Sequence, residues 1–191
     1  MSAAALGPSP GWPWPPPERD RAAWHLSVAF PMPDVDLVAT TGGLISVGAT
    51  RGLSVLFVYP WTGGPGLANP PGWDDIPGAH GSTPEAEGFR DEHEWFQARR
   101  ITVLGLSAQS PAHQLELSRR LALPYPILSD AGFVFADAAN LPRFEAGGVD
   151  YLKRLTVVLW HGRVVTRFYP VHPPDRHAVE VRGWLQREMG L

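Results

Sequence analysis

Two short apolar runs constrain the fold of this chain more than any other feature. Residues 53–60 (LSVLFVYP) and 101–107 (ITVLGLS) are apolar at almost every position. Runs of this length suit strands that are buried on both faces, as in a sheet covered by helices on each side. Because a helical pattern at about 84–99 separates the two runs, we expect an α/β fold.

The segments that follow continue the alternation of strands and helices. The patterns predict helices at about 111–121, 133–139 and 174–189, a short extended piece at 125–128, and strands at 155–160 and 163–169. In the last helix we expect Val179, Trp184 and Leu185 to face inward. His161-Gly162 is a two-residue hairpin turn, and Thr41-Gly42-Gly43 turns a hairpin within residues 27–50. This order predicts a thioredoxin-like mixed sheet flanked by helices, mostly parallel and with an antiparallel edge.

The N-terminus differs in composition from the rest of the chain. Seven of the ten residues 8–17 are Pro or Gly, which excludes a helix or a central strand there. We therefore divide the chain into an arm, residues 1–22, and one domain, residues 23–191. Two interpretations of the arm are open: a disordered or polyproline II tail, or a segment that packs on its own domain or on a neighbouring subunit through Trp12 and Trp14.

Charge and residue usage exclude several classes of function. The 191 residues contain no Cys, 16 basic and 19 acidic residues, so disulfides, thiolate metal sites and a basic nucleic-acid footprint are excluded. The sequence contains no apolar run of about 18 residues, so it predicts no membrane-spanning helix. We expect a cytoplasmic protein with no nucleic-acid or membrane partner. Metal-binding and nucleotide-binding motifs are absent, so we expect neither a metal nor a cofactor.

Three parts of the sequence together resemble the peroxiredoxins, the alkyl hydroperoxide reductase/thiol-specific antioxidant (AhpC/TSA) group of redoxins. The matching segments are 30–35 (FPMPDV) before Gly42-Gly43, 55–60 (VLFVYP) with 81–85 (GSTPE) and 88–91 (GFRD), and 153–157 (KRLTV). The resemblance spans roughly residues 27–189. It implies a thioredoxin fold, antioxidant oxidoreductase activity on hydroperoxides, and association into homodimers.

The resemblance also assigns site positions and shows where this chain departs from the family. Ser82 stands at the position of the peroxidatic cysteine, and Glu87 at that of a second cysteine. Pro60 matches the proline of the active-site motif, but about 15 residues are inserted after it, and the motif threonine becomes Ala79. Arg154 matches the active-site arginine.

Serine cannot replace the peroxidatic cysteine in the reduction of hydroperoxides. Its hydroxyl stays protonated beside one arginine and a helix start, and oxygen has no equivalent of sulfenic acid. Two explanations are open: an engineered Cys-to-Ser change in a thiol peroxidase, or natural loss of the cysteine. Ser82 also fits an S-x-x-E capping box with Glu85, and Thr83 is an alternative cap. A nucleophilic Ser82 would need a base, and neither His80 nor His93 is placed by the sequence to serve as one.

The remaining site could bind a small molecule or a hydroperoxide. Arg154 and the start of the helix at Gly81, Ser82 and Thr83 would favour an anion or a polarised oxygen. The loop 61–81 would add Trp61 and Trp73 as an apolar wall and three acid–base groups: Asp74, Asp75 and His80. Against this, Asp74 and Asp75 are ordinary turn residues, and Arg154 could form an ion pair with a residue such as Glu87. A non-enzymatic interaction protein is the third hypothesis.

Overall fold

The computed structural model describes residues 12–191, and its main feature there is a seven-stranded sheet with helices on both faces. The strands are β1 Asp36–Ala39, β2 Leu44–Ser46, β3 Leu53–Val58, β4 Thr102–Ser107, β5 Ile127–Ser129, β6 Arg143–Ala146, β7 Val149–Leu152, β8 Leu155–Trp160 and β9 Arg163–Phe168. The helices are α1 Ser82–Asp91, α2 His93–Ala98, α3 Pro111–Arg120, α4 Val134–Ala138 and α5 His177–Met189. Short 3-10 helices lie at Trp73–Asp75 and Pro174–Arg176.

The sheet is mixed, as predicted, but it is not mostly parallel. Its order is β2-β1-β5-β4-β3-β8-β9, and only β3, β4 and β5 pair in parallel. The hairpin β1–β2 extends one side and the hairpin β8–β9 the other, both antiparallel. The prediction of a mostly parallel sheet was therefore wrong. Hairpins need no helical crossover, so a short turn is enough to add antiparallel strands at each end of the sheet.

The side chains of the central strands divide the core between the two faces of the sheet. In β3, Leu56 and Val58 belong to the cluster that Phe135 of α4 closes. Val55 and Phe57 point the opposite way, into a cluster with α1, α2, α3 and α5. All six residues of β3 are buried, which confirms the interpretation of this apolar run.

Several helical predictions need correction. The single helix expected at 84–99 is two helices that meet at Glu92. In α5 the inward residues are Ala178, Val181 and Leu185, which follow the helical period. Val179 was wrongly expected inside: it lies one position beyond that stripe and is 52% exposed.

The segment before β8, for which the sequence predicted no strand, is the hairpin β6–β7. Gly147 and Gly148 form its turn, both with positive φ, which is the turn chemistry of a two-residue hairpin. The predicted turns at His161-Gly162 and Thr41–Gly43 are confirmed. No helix within residues 12–191 is both long enough and apolar enough to cross a membrane.

Candidate binding site at the start of helix α1

Helix α1 begins at Ser82, and the residue before it sets the geometry of the site. Gly81 has φ 106°, in the left-handed region, and a Cβ built on it would collide with Pro174 and lie 2.8 Å from Trp12. Within the described residues no side chain caps this helix. The capping roles expected for Ser82 and Thr83 are therefore wrong: glycine starts the helix one residue earlier, so the Ser82 hydroxyl turns to another partner.

That partner is Arg154, which joins the helix start to the end of the loop 61–81. Arg154 Nη2 donates to Ser82 Oγ across 3.1 Å and to the backbone carbonyl of His80 across 3.1 Å. Ser82 is 3% exposed and Arg154 5%. The arginine and the serine, which the resemblance placed in one site, therefore lie in hydrogen-bond contact.

Arg154 also forms a buried ion pair, but with Glu85 instead of Glu87. Its Nη1 donates to Glu85 Oε2, and both side chains are almost fully buried. Glu87 instead lies 3.9 Å from Arg90 nearer the surface. The helical phase explains the difference, because Glu85 shares the buried face of α1 with Phe89, four residues on.

The buried carboxyl of Glu85 has an unusual electrostatic environment. Burial raises the pKa of Glu85, and this effect outweighs the opposing attraction of Arg154 and of His177. Within residues 12–191 its Oε1 atom has no hydrogen-bond partner. In its ionised form, the Glu85 carboxylate offsets much of the positive charge that Arg154 would otherwise present to Ser82.

Among residues 12–191, no base contacts Ser82 to activate it. Its hydrogen-bond partner is a guanidinium, which donates and cannot accept a proton. His80 Nε2 instead donates to Asp74 across 2.9 Å. His93 lies beside Tyr125, and burial lowers the pKa of His93. The arrangement matches a bound, unreactive hydroxyl better than a nucleophile.

The loop 61–81 is held by an aromatic cluster. Trp73 is 2% exposed, and its ring centroid lies 5.4 Å from that of Trp61 and 4.9 Å from that of Tyr151. Phe144 of β6 completes the cluster. The hairpin β6–β7, which the sequence did not predict, therefore packs against the loop through Phe144 and Tyr151.

The first residues of the loop are held by polar contacts that sequence reasoning did not find. The Gln109 side chain accepts from the Thr62 backbone N–H at 2.9 Å and donates to its carbonyl at 3.0 Å. His113 donates to the same carbonyl. Pro60 is buried at the end of β3, just before this anchor. No residue pattern marks Gln109 or His113, because both act on backbone atoms far away in sequence.

Residues 12–20, here called the strap, lie across this loop. The indole of Trp14 stacks on the His80 imidazole, with centroids 3.7 Å apart and planes inclined by 10°. The Gly78 N–H donates to the Pro15 carbonyl at 3.0 Å. At the other end Asp20 pairs with Lys153 at 2.7 Å. Residues 1–11 of the predicted arm lie outside the described residues, and the division at 22 stays a prediction.

A cavity of about 260 Å³ lies between the strap, the loop and the start of α1. The residues around it are Trp12, Trp14, Trp61, Thr62, Gly63, Asn69, Trp73, Ala79, His80, Gly81, Ser82, Thr83 and Pro84. Arg154 lies behind Ser82 and borders a separate cavity beneath the strap. Pro60 and Asp75 do not line the cavity above Ser82, and Asp75 is exposed. Asp74, not Asp75, is the loop carboxylate that contacts His80.

The site residues can also be tested as metal ligands. Within the described part of the chain, no three His, Asp or Glu side chains converge on one point. His80 and Asp74 form only a pair, which falls short of the three or four ligands that a metal site needs.

Comparisons with known proteins show similarity to peroxiredoxins. The model of the AhpC/TSA family matches residues 77–165, from the end of the inserted loop to the β8–β9 hairpin. Chloroplastic peroxiredoxin Q of Gentiana triflora is 30% identical over 114 residues, 59% of this chain and 50% of that protein. The chain thus spans about half the length of these chloroplastic relatives.

Two bacterial proteins are similar over more of their length. A putative peroxiredoxin bcp of Coxiella burnetii is 27% identical over 167 residues, 84% of this chain and 99% of that protein. The crystal structure of peroxidoxin BcpB from Mycobacterium tuberculosis superimposes with a TM-score of 0.67 at 25% identity, covering 84% of this chain and 96% of that one.

Proposed function

The chain belongs to the peroxiredoxin family of thioredoxin-fold proteins, and on that basis we propose that it binds a small molecule in the cavity above Ser82 and does not reduce peroxides. The observation that carries the proposal is the floor of this cavity. Ser82 lies there, buried and hydrogen-bonded to Arg154, where the family resemblance places the reactive cysteine.

The chemistry of the missing thiol excludes the family reaction in this chain. Peroxide reduction needs a thiolate that attacks one peroxide oxygen and becomes a sulfenic acid, while the other oxygen leaves as an alcohol or water. The Ser82 hydroxyl can neither ionise beside Arg154 at neutral pH nor form the oxidised product. No other residue of this chain supplies the sulfur, because the sequence contains no cysteine.

The cavity itself favours binding. Its volume is about 260 Å³, close to the lower end of small-molecule pockets, which start at about 300 Å³. The indoles of Trp61 and Trp73 offer an apolar wall, while Asn69 and His80 offer polar edges. The indole rings together with these polar groups would suit a small ligand that carries both an apolar part and a hydrogen-bonding group.

A binding experiment tests the proposal with simple probes. Phenol, butanol and butyrate are added to the full-length protein while amide and indole N–H resonances are recorded by NMR. We expect at least one probe to shift the Ser82 and Thr83 amides together with the indole signals of Trp61 and Trp73. The exposed residue Asn69 lines the cavity, so Asn69→Trp should block binding, whereas the matched variant Ala68→Trp should not.

A peroxidase assay provides the second arm. With dithiothreitol as reductant, the wild-type protein should consume tert-butyl hydroperoxide no faster than a protein-free blank. Consumption above the blank would refute the proposal, and so would cavity resonances that none of the probes moves.

A further inference from the structure

The indole of Trp14 lies on the face of the His80 ring, and this ring face is here called the seat. Its plane lies parallel to the His80 ring at 3.7 Å between centroids, which is closer than the ~4.5–7 Å common for aromatic pairs. His80 is fixed from two other directions: its Nε2 donates to Asp74, and its carbonyl accepts from Arg154. The imidazole is therefore a rigid platform, and the indole rests on it.

The wall beside this platform is also aromatic. Trp73 meets the His80 ring edge-on, with centroids 6.4 Å apart and planes at 72°. Trp61 stands against Trp73 at 65°. A flat ring that lies on His80 thus meets the edges of the wall, which is the arrangement that aromatic rings prefer. A saturated ring of equal size would lose the stacking on His80.

The strap that carries Trp14 has few backbone hydrogen bonds to hold it on the loop. Four of its nine residues are proline, which cannot donate a backbone hydrogen bond. It forms no helix or strand. Its polar contacts with the rest of the protein are the bond from Gly78 to Pro15 and those of Asp20 with Lys153 and Tyr169. Besides the stack on His80, Trp12 packs over Gly81 and Pro17 over Gly78. A proline-rich segment is already extended in solution. The strap therefore gains little chain entropy when it is released from the loop and loses little when it binds there again.

We propose that Trp14 is an internal occupant of the site and that the ligand is a planar aromatic compound, which displaces the strap and stacks on His80. This inference rests on the proposed function and names the ligand class of the same cavity. A tethered indole competes at high effective concentration, so it lowers the apparent affinity for any ligand that needs its seat. Removing the indole should therefore strengthen binding, although a side chain is lost from the site.

Indole is the probe that tests this inference, with isothermal titration calorimetry as the readout. We expect indole to bind Trp14→Ala at least about tenfold more tightly than the wild type, because the tethered competitor is gone. Trp24→Ala is the matched control, since Trp24 is 53% exposed and contacts Arg21 instead of the site. Asp20→Ala, which loosens the strap without touching the seat, should also strengthen binding.

The outcomes separate this inference from the proposed function. Equal or weaker binding of indole to Trp14→Ala would overturn the inference. Trp14 would then either have no effect on the ligand or contribute to the surface that binds it. Phenol and cyclohexanol, both uncharged at neutral pH, test the aromatic class: cyclohexanol should bind Trp14→Ala poorly, and binding as tight as that of phenol would overturn the aromatic class. Either result leaves the cavity as a binding site. Failure of every probe with every variant would overturn both.

The strap can also be tested without a ligand. In the wild type the ring current of Trp14 should shift the His80 ring protons upfield, and Trp14→Ala should remove this shift. Unshifted His80 protons in the wild type would refute the internal occupant, whatever compound the cavity binds.

Discussion

The Nη2 atom of Arg154 lies 3.1 Å from the Oγ atom of Ser82, although the two residues are 72 positions apart in the sequence. The contact joins the loop before β8 to the first turn of α1 and keeps a cation beside Ser82, the position that the resemblance assigns to the peroxidatic cysteine. With oxygen in that place, the cation holds a neutral hydroxyl. Whether the surroundings still suit a thiol can be measured directly.

We expect Ser82→Cys to carry a more acidic thiol than Ser110→Cys. Both serines stand at a helix start, but only Ser82 contacts an arginine, whereas Ser110 is exposed and caps α3. Glu85 offsets part of the charge of Arg154, so we expect a thiol pKa about one unit below that of Ser110→Cys. The pKa is measured from the ultraviolet absorbance of the thiolate, which does not depend on reagent access to the buried side chain.

The same pair of variants tests for peroxide chemistry. Ser82→Cys should consume tert-butyl hydroperoxide with dithiothreitol faster than Ser110→Cys does. Adding Arg154→Gln to Ser82→Cys should abolish the difference. Equal rates for the two cysteine variants, both folded, would mean that the site does not support the family reaction even when it contains a thiol.

The ion pair between Arg154 and Glu85 should matter for stability. Arg154→Met leaves the Glu85 carboxyl in the core without its cation, so it must take up a proton or remain an uncompensated charge. We expect a loss of about 3 kcal/mol in the free energy of unfolding, measured by urea denaturation.

A surface arginine gives the comparison for that variant. Arg90 pairs with Asp91 and Glu87 in a partly exposed setting, so Arg90→Met should cost less than about 1 kcal/mol. Similar losses for both variants would show that the buried pair is not a special feature of the fold.

Glu85 should also give the protein a recognisable pH dependence. Its pKa is raised above 4.5 in the folded state, so the folded protein binds this proton more readily than the unfolded chain. The group therefore favours the folded state most at pH values below 4.5, and this contribution falls as pH rises through the raised pKa. Glu85→Gln, which cannot titrate, should remove the fall in stability that the wild type shows between pH 4.5 and the raised pKa of Glu85.

Urea denaturation at several pH values checks this expectation. Glu87→Gln, on the same helix but nearer the surface, should keep the slope of the wild type. Parallel curves for the wild type and Glu85→Gln would contradict a raised pKa at Glu85.

The parts of the fold that could be predicted are those in which local pattern and burial agree. Strand β3 appears as a continuous apolar run because both of its faces are buried. The hairpin at Gly147-Gly148 was missed because its strands, RFEA and VDYL, are only four residues long, mix charged with apolar residues and are partly exposed, although the glycine pair is a hairpin signal.

For the site, the family resemblance placed Ser82 and Arg154 together, but the contacts around them depend on tertiary structure. Choosing Glu85 over Glu87 needs the phase of α1, which follows from where the helix begins. That beginning is set by Gly81, whose φ of 106° no pattern reveals. The stack of Trp14 on His80 joins residues 66 positions apart, so no local rule predicts it.

The start of α1 should tolerate no side chain at Gly81. Alanine there and at Gly66 would share the strain of a left-handed backbone, about 1–2 kcal/mol, since both glycines have positive φ. At Gly66 a Cβ meets open space, whereas at Gly81 it would collide with Pro174 and Trp12. Gly81→Ala should therefore lose about 1–3 kcal/mol more in the free energy of unfolding, measured by urea denaturation. Equal losses would mean that Pro174 and the strap do not close over Gly81, and the cavity above Ser82 would then lack the wall that Trp12 supplies.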